Sequence, residues 1–328
     1  MLGAGAWGTA LAKLLSDKGE SVVLCTRRPD LPVEIARTHE NERYLPGIRL
    51  APELEVTVDF ERAVSTADLV VVAVPSHAVR GVLGALASSL PADATIVSAT
   101  KGIENDSLML MGEVVADVLG TAADGRFAVL SGPSFAREVA LGLPTAIVVA
   151  SSSPTVAHEV QGRFAGERLR VYTSDDPVGV ELGGALKNVI AIAAGACEGL
   201  GYGHNSRAAL ITRGLAEIVR LSMAKGGNAL TLAGLAGLGD LVLTCTGELS
   251  RNRTVGFELG KGRTLPDVLA GLGHVAEGVR TAKSAYDLGR RCDVDMPITT
   301  EVYRVLYEGK SPKQAVSDLL ARANRPEF

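Results

Sequence analysis

Lys187 stands in the run Gly183-Gly184-Ala185-Leu186-Lys187-Asn188-Val189-Ile190-Ala191-Ile192-Ala193, which reads as a helix apolar around most of its circumference. An unpaired ammonium there is expensive, so this lysine needs a partner or a reaction to serve. Burial lowers a lysine pKa towards neutrality, which makes it a competent acid for an oxygen that is becoming an alkoxide. A structural salt bridge is the plain alternative. Asp240, in Gly237-Leu238-Gly239-Asp240-Leu241-Val242-Leu243, is a carboxylate among apolar neighbours and raises the same question. It is expected to meet Lys187, a substrate hydroxyl, or both. Downstream, Ser250-Arg251-Asn252 offers a guanidinium and an amide matched to phosphate oxygens, or else forms a solvated basic turn.

A second kind of chemistry opens the chain. Gly3-Ala4-Gly5-Ala6-Trp7-Gly8 has the G-x-G-x-x-G spacing, followed by a helical pattern over 9–18 and a β-run over 21–26. In that context Gly3 permits a tight turn, Gly5 lets backbone approach a pyrophosphate, and Gly8 lets the helix sit close to a sheet, with the helix N-terminus facing the anion. Only Met1 and Leu2 precede Gly3, whereas a first strand is usually about five or six residues long. The central strand is therefore expected to be stunted and poorly formed, through a late start or a lost upstream segment. After the second strand, where an acidic residue would bind the ribose hydroxyls, the chain has Thr26-Arg27-Arg28. Arginine there favours a 2′-phosphate and hence NADP over NAD, unless it merely stacks on the adenine or faces water. Lys101 follows the run 95–99, at the strand end where ligands of such sheets bind, and the small-residue turn Ser131-Gly132-Pro133-Ser134-Phe135-Ala136 follows the next strand.

The elements that must position these groups fall into two sets. Short β-branched runs at 21–26, 69–74, 95–99, 127–130, 145–149 and 169–173 alternate with helix-length segments, which predicts parallel strands with crossover helices. Unbroken apolar runs such as Leu69-Val70-Val71-Val72-Ala73-Val74 imply that both sheet faces are covered. Beyond Asp176-Pro177 the strand signals stop and helical patterns follow at 178–198, 207–225, 264–272, 276–291, 300–307 and 312–322. Ser311, Pro312 and Gln314 carry the signature of an N-terminal capping box for the last. The expectation is a Rossmann-type doubly wound parallel α/β sheet over 1–176 and an all-α domain over 177–328. At 328 residues two domains are natural, because single cores stop growing at about 250–300 residues.

Composition closes off several other classes. A net charge of -4 provides no basic field for nucleic acid. The apolar runs look shorter than the roughly 20 residues of a membrane span, and no signal-peptide pattern opens the chain, so the cytoplasm and no membrane insertion are expected. Four dispersed cysteines form no C-x-x-C pair, and five histidines show no metal-ligand spacing, so no metal site is expected.

In order along the chain, G-A-G-A-W-G, A-T-K-G, S-G-P-S-F-A, G-G-A-L-K-N-V-I-A-I, G-L-G-D-L-V-L-T-C and S-R-N resemble the NAD(P)-dependent glycerol-3-phosphate dehydrogenases of bacterial type. The likeness runs from Leu2 to about Arg322. It implies reversible reduction of dihydroxyacetone phosphate to sn-glycerol 3-phosphate, feeding phospholipid synthesis, in a cytoplasmic homodimer. It implies Lys187 as proton donor and acceptor, with Lys101 touching cofactor and substrate. Gly132, Ser134, Asn188, Asp240, Ser250, Arg251 and Asn252 would serve the substrate. Gly3, Gly5, Ala6, Trp7, Gly8, Arg27, Arg28, Ala136, Val275 and Glu277 would serve the cofactor, with Arg251 also near it. A β-hydroxyacid dehydrogenase acting on 6-phosphogluconate is the nearest enzymatic rival, against which Gly239-Asp240 and Ser250-Arg251-Asn252 argue. A nucleotide-sensing regulator is the rival without turnover.

Overall fold

A computed structural model describes all residues except 124, 273–275, 325 and 328, and leaves aside the side chains of 121 and 122. The chain divides into two compact units, Met1–Glu104 with Met109–Glu181, and Asn105–Leu108 with Leu182–Phe328.

The first unit is built on strands β1 (Val23–Cys25), β2 (Glu55–Thr57), β3 (Leu69–Val72), β4 (Thr95–Ser98), β5 (Phe127–Ser131), β6 (Thr145–Ala150) and β7 (Leu169–Ser174). Strands β3 to β7 lie side by side in sequence order, and β1 pairs with β2. Leu2 joins the two sets: it bridges in parallel to Cys25 on one side and Val72 on the other. Its N–H donates to Val71 and its carbonyl accepts from Ala73, both at 2.8 Å, while Cys25 N–H donates to Met1. The first strand is as short as expected, yet it is fully bonded on both sides rather than poorly formed. Burial of Leu2 in the core explains why so few residues suffice there.

One expectation of direction fails. β6 runs antiparallel to β5, and β7 follows β6 in parallel. A parallel return after β5 needs a helix long enough to carry the chain back along the sheet, and the helix between β5 and β6 has only 5 residues. β6 therefore starts at the edge where β5 ends. β2, three residues without a buried side chain, had no apolar run to announce it.

Seven helices of this unit are α1 (Ala6–Asp17), α2 (Leu31–Thr38), α3 (Phe60–Val64), α4 (Val79–Leu86), α5 (Met111–Leu119), α6 (Ala136–Ala140) and α7 (Pro154–Phe164). Both sheet faces are covered. Val70, Val72 and Ile96 pack with Leu83, Leu86, Met111 and Val114 of α4 and α5. Val71, Val97 and Leu130 pack with Leu11 and Leu15 of α1 and Val156, Val160 and Phe164 of α7. Alternate residues of one strand thus serve opposite layers, as the period of two requires.

The second unit contains α8 (Pro177–Gly199, which begins in the first), α9 (His204–Ala224), α10 (Ala229–Ala233), a π-helical turn Leu235–Gly239, α11 (Asp240–Thr246), α12 (Arg251–Gly260), α13 (Leu265–Leu272), α14 (Glu277–Arg291), α15 (Pro297–Tyr307) and α16 (Pro312–Leu320). At 23 residues α8 is long and apolar enough to cross a bilayer, contrary to the expected run lengths, but 89% of its most apolar window is buried within the fold. Every residue from 179 to 192 is buried. The axis of α12 comes very close to α8: a Cβ on Gly256 would lie 1.9 Å from the Ile192 carbonyl oxygen, and one on Gly195 would lie 2.0 Å from that of Arg253. Glu198 on α8 receives a two-pronged ion pair from Arg253 on α12 at 2.6 and 3.0 Å. In α16, Ser311 caps the Gln314 N–H as expected, but the Gln314 amide turns to Asp318 instead of closing the box.

Candidate active site

Lys187 is 7% exposed and Asp240 1%. Their charges meet, Nζ to Oδ1, at 2.8 Å. A second Lys187 hydrogen bond goes to the Thr244 hydroxyl at 2.7 Å, and that hydroxyl in turn donates to the Asp240 carbonyl oxygen at 2.6 Å. The geometry follows from two helices: Lys187 projects from the middle of α8, while Asp240 and Thr244 lie four residues apart on one face of α11. The expensive ammonium thus has its partner, and the pair holds one Nζ in a fixed place. The adjoining Cys245 thiol is pushed up to about 12 by burial, so it remains an inert packing group. All four cysteines are free.

The neighbouring Asn188 side-chain Oδ1 accepts from the Asn252 Nδ2 at 2.9 Å, and the Asn252 Oδ1 accepts from Gly278 N–H at 2.9 Å. Asn252 therefore bolts the start of α12 to α8 and to the start of α14. Ser250 is its N-cap, accepting from Arg253 N–H at 3.3 Å. What was open as a basic turn is the first turn of a helix. Arg251, unlike its neighbours, keeps an exposed surface, yet the protein around its guanidinium lowers its pKa by desolvation, against which the Glu277 carboxylate at the first residue of α14 acts. Val275 lies outside the described residues.

In the first unit the three loop glycines have separate reasons. Gly3 has φ 110°, and a Cβ there would lie 2.7 Å from the Ala73 oxygen. A Cβ on Gly8 would lie 1.9 Å from the Gly3 oxygen and 3.3 Å from the Ala73 Cβ, so helix and loop close on each other as well as on the sheet. Around Gly5 nothing lies within 4 Å of a Cβ. α1 starts at Ala6 with no side-chain cap and no acidic residue in its first turn. An open approach to an uncapped, positive helix end fits a pyrophosphate. Ala6, Trp7 and Ala136 of α6 pack around Ala10 and Ala140. Lys101 donates to the Gly132 carbonyl oxygen at 3.1 Å, and the Ser134 hydroxyl donates to the same atom at 3.1 Å. Lys101, Gly132 and Ser134 are thereby gathered beyond the ends of β4 and β5.

The two arginines after β1 separate. Arg28 is held by Asp30 through both Nε and Nη2 and lies 3.9 Å from Glu34. Arg27 is exposed and forms no hydrogen bond or ion pair among the described residues. Two groups escaped the sequence reading. Thr244 had no signal beyond its place four residues after Asp240, and Asn41, wholly buried beside the glycine loop, had none in a stretch that reads as polar loop. No group of metal ligands occurs among the described residues.

Two family models match the chain: the NAD-dependent glycerol-3-phosphate dehydrogenase N-terminus over residues 1–157 and its C-terminus over residues 176–317. A glycerol-3-phosphate dehydrogenase [NAD(P)+] of Anaeromyxobacter dehalogenans (strain 2CP-C) is 54% identical over 328 residues, covering 100% of this chain and 99% of its own. One of Geobacter sulfurreducens is 55% identical over 327 residues, covering 100% and 98%. The crystal structure of glycerol-3-phosphate dehydrogenase from Coxiella burnetii superposes with a TM-score of 0.93 at 42% identity, covering 98% of each chain.

Proposed function

The chain belongs to the NAD-dependent glycerol-3-phosphate dehydrogenase family, and from that premise we propose that it interconverts dihydroxyacetone phosphate and sn-glycerol 3-phosphate. When bound, NAD(P)H supplies the hydride that the ketone carbon accepts. Lys187 gives an Nζ proton to the carbonyl oxygen, which stays on its carbon as the hydroxyl of the product, and the amine regains its proton from water. The observation that carries this reading is the ammonium fixed by Asp240 and Thr244 on buried helices. A proton donor held at one point contributes roughly 100-fold or more over an unplaced one. Asp240 keeps the ammonium oriented and balances its charge.

Lys101 stabilises negative charge on the substrate, with Gly132 and Ser134 shaping its surroundings. Arg251 is the group for the phosphate and for the cofactor beside it. Ser250, Asn188 and Asn252 act by holding the first turn of α12, since their polar atoms are engaged there. For the cofactor, the Gly3 to Gly8 loop takes the pyrophosphate, Trp7, Ala136 and Glu277 serve the cofactor as the family motif implies, and Arg27 takes a 2′-phosphate, which favours NADP. Residues 1–176 would thus serve the dinucleotide and 177–328 the substrate and the proton. In the cell, a cytoplasmic homodimer would supply glycerol 3-phosphate to phospholipid synthesis.

The test follows the nicotinamide absorbance in two assays, oxidation of NAD(P)H with dihydroxyacetone phosphate and reduction of NAD(P)+ with 6-phosphogluconate. Turnover is expected with the first alone. A folded Lys187→Ala protein with wild-type turnover would remove the lysine from the chemistry.

A further inference from the structure

The Asn41 side chain is wholly buried, and its amide nitrogen reaches the glycine loop and the first helix while its oxygen is tied to its own segment. Its Nδ2 donates to the Ala4 carbonyl oxygen at 3.0 Å and to the Thr9 hydroxyl at 2.8 Å. Its Oδ1 accepts from Tyr44 N–H at 3.3 Å. The amide cannot be turned over, because an oxygen in place of Nδ2 would face the Ala4 carbonyl, which only accepts.

Ala4 and Gly5 share one peptide plane, and across a trans peptide the C=O and N–H point in opposite directions. No cis peptide occurs here. Holding the Ala4 oxygen inward therefore turns the Gly5 N–H outward. Gly5 itself leaves room for a ligand to come close to the backbone, with nothing within 4 Å of a Cβ position. The segment after α2 carries Asn41 to this place, and Leu45 and Ile48 seat it against the α1 face that includes Ala6, Trp7 and Ala10.

We propose that Asn41 is a positioning residue for the dinucleotide: by fixing the Ala4–Gly5 peptide it aims the Gly5 N–H at the pyrophosphate. This rests on the dinucleotide reading of the loop. Losing the anchor frees the peptide to rotate, so the ligand must hold it instead, and affinity falls on the order of tenfold. The loss belongs to ligands that carry a pyrophosphate.

Binding of ADP-ribose and of adenosine 2′-monophosphate is measured by calorimetry on the folded wild type, Asn41→Ala, Asn41→Asp and Thr9→Val proteins. Asn41→Asp keeps the shape while putting an oxygen opposite the Ala4 carbonyl, and Thr9→Val leaves the Ala4 bond in place. The expected result is about tenfold weaker ADP-ribose binding in both Asn41 variants, an adenosine 2′-monophosphate affinity within about twofold of wild type, and Thr9→Val within about twofold for both ligands. In turnover, the cofactor KM rises and kcat at saturation holds. Equal loss of the two ligands, an unchanged ADP-ribose affinity, or a Thr9→Val defect matching Asn41→Ala would overturn the inference. A wild-type protein that binds neither ligand would instead overturn the dinucleotide reading itself.

Discussion

Gly256→Ala tests whether the close approach of α12 to α8 holds the helical unit together. The new methyl would lie 1.9 Å from the Ile192 carbonyl oxygen, 2.7 Å from its carbon and 2.8 Å from the Ala196 nitrogen, all backbone atoms that no rotamer change can clear. Ordinary contact begins near 3.4 Å, so along the tightest line the helices must part by roughly 1.5 Å. Overpacking a core costs about 1–3 kcal/mol and more where the walls are backbone. Against it stands a gain of about 1 kcal/mol from replacing glycine by alanine inside a helix. With the clash at the top of that range or above it, the net expectation is a destabilisation of about 2 kcal/mol, or roughly 4–8 °C in Tm for a unit of this size. Parting the helices also pulls Asn252 from Asn188, a 2.9 Å bond, so substrate KM should rise as well. Gly162→Ala in α7 is the matched control: nothing lies within 4 Å of its Cβ, so helix propensity alone acts and stability should increase by about 0.5–1 kcal/mol. Urea denaturation of both variants gives the comparison. If the two shift stability in the same direction, backbone proximity is not what places glycine at 256.

Lys187→Ala should lower turnover at least about 100-fold and also destabilise the helical unit by about 3–5 kcal/mol, because it strands the Asp240 charge in the core; turnover is therefore read below the lowered Tm. Arg27→Asp should erode the NADPH preference, measured as the ratio of kcat/KM for the two cofactors, while Arg28→Ala should alter it far less because Asp30 already engages that guanidinium; equal effects would refute the distinction. Glu217 is buried and accepts from Ile298 N–H, Thr299 N–H and the Thr299 hydroxyl, yet burial outweighs these bonds and pushes its pKa up from 4.5 to about 7. A raised folded pKa means the group's stabilisation is complete below the unfolded value of 4.5 and is lost as pH rises to about 7, on the order of 3 kcal/mol in all. Denaturation at about pH 5 and about pH 8 should show this fall in the wild type and a flatter profile in Glu217→Gln.

The layered sheet and the long helices were legible because their signals are physical necessities of burial. Val70 and Val71 need opposite apolar layers, and the α8 run needs an apolar jacket on all sides. The antiparallel β6 was not legible, since strand patterns carry no direction and only the brevity of α6 decides it. α12 was hidden for another reason: its buried face is Asn252, Val255, Gly256 and Leu259, spaced as a helix should be but half made of residues that hydropathy does not mark. That face can nevertheless be buried, because Gly256 lets the α8 backbone come close and Asn252 is hydrogen-bonded through both its nitrogen and its oxygen.

Residue type could nominate the site but could not say which polar atoms were already engaged. Arg27 and Arg28 are equivalent on the page of sequence; Asp30 separates them, leaving Arg27 as the cation open to a ligand. The same sorting divides Ser250, Arg251 and Asn252. The serine hydroxyl caps a helix and the asparagine amide spans two others, so an anion approaching this turn meets the guanidinium between them. Ser250→Ala and Asn252→Ala should therefore act through the position of Arg251, and Arg251→Lys should lose the planar fork while keeping the charge. A kcat/KM for dihydroxyacetone phosphate that falls with Arg251→Lys while stability stays level, against losses of stability with the other two, is the pattern this division of labour requires.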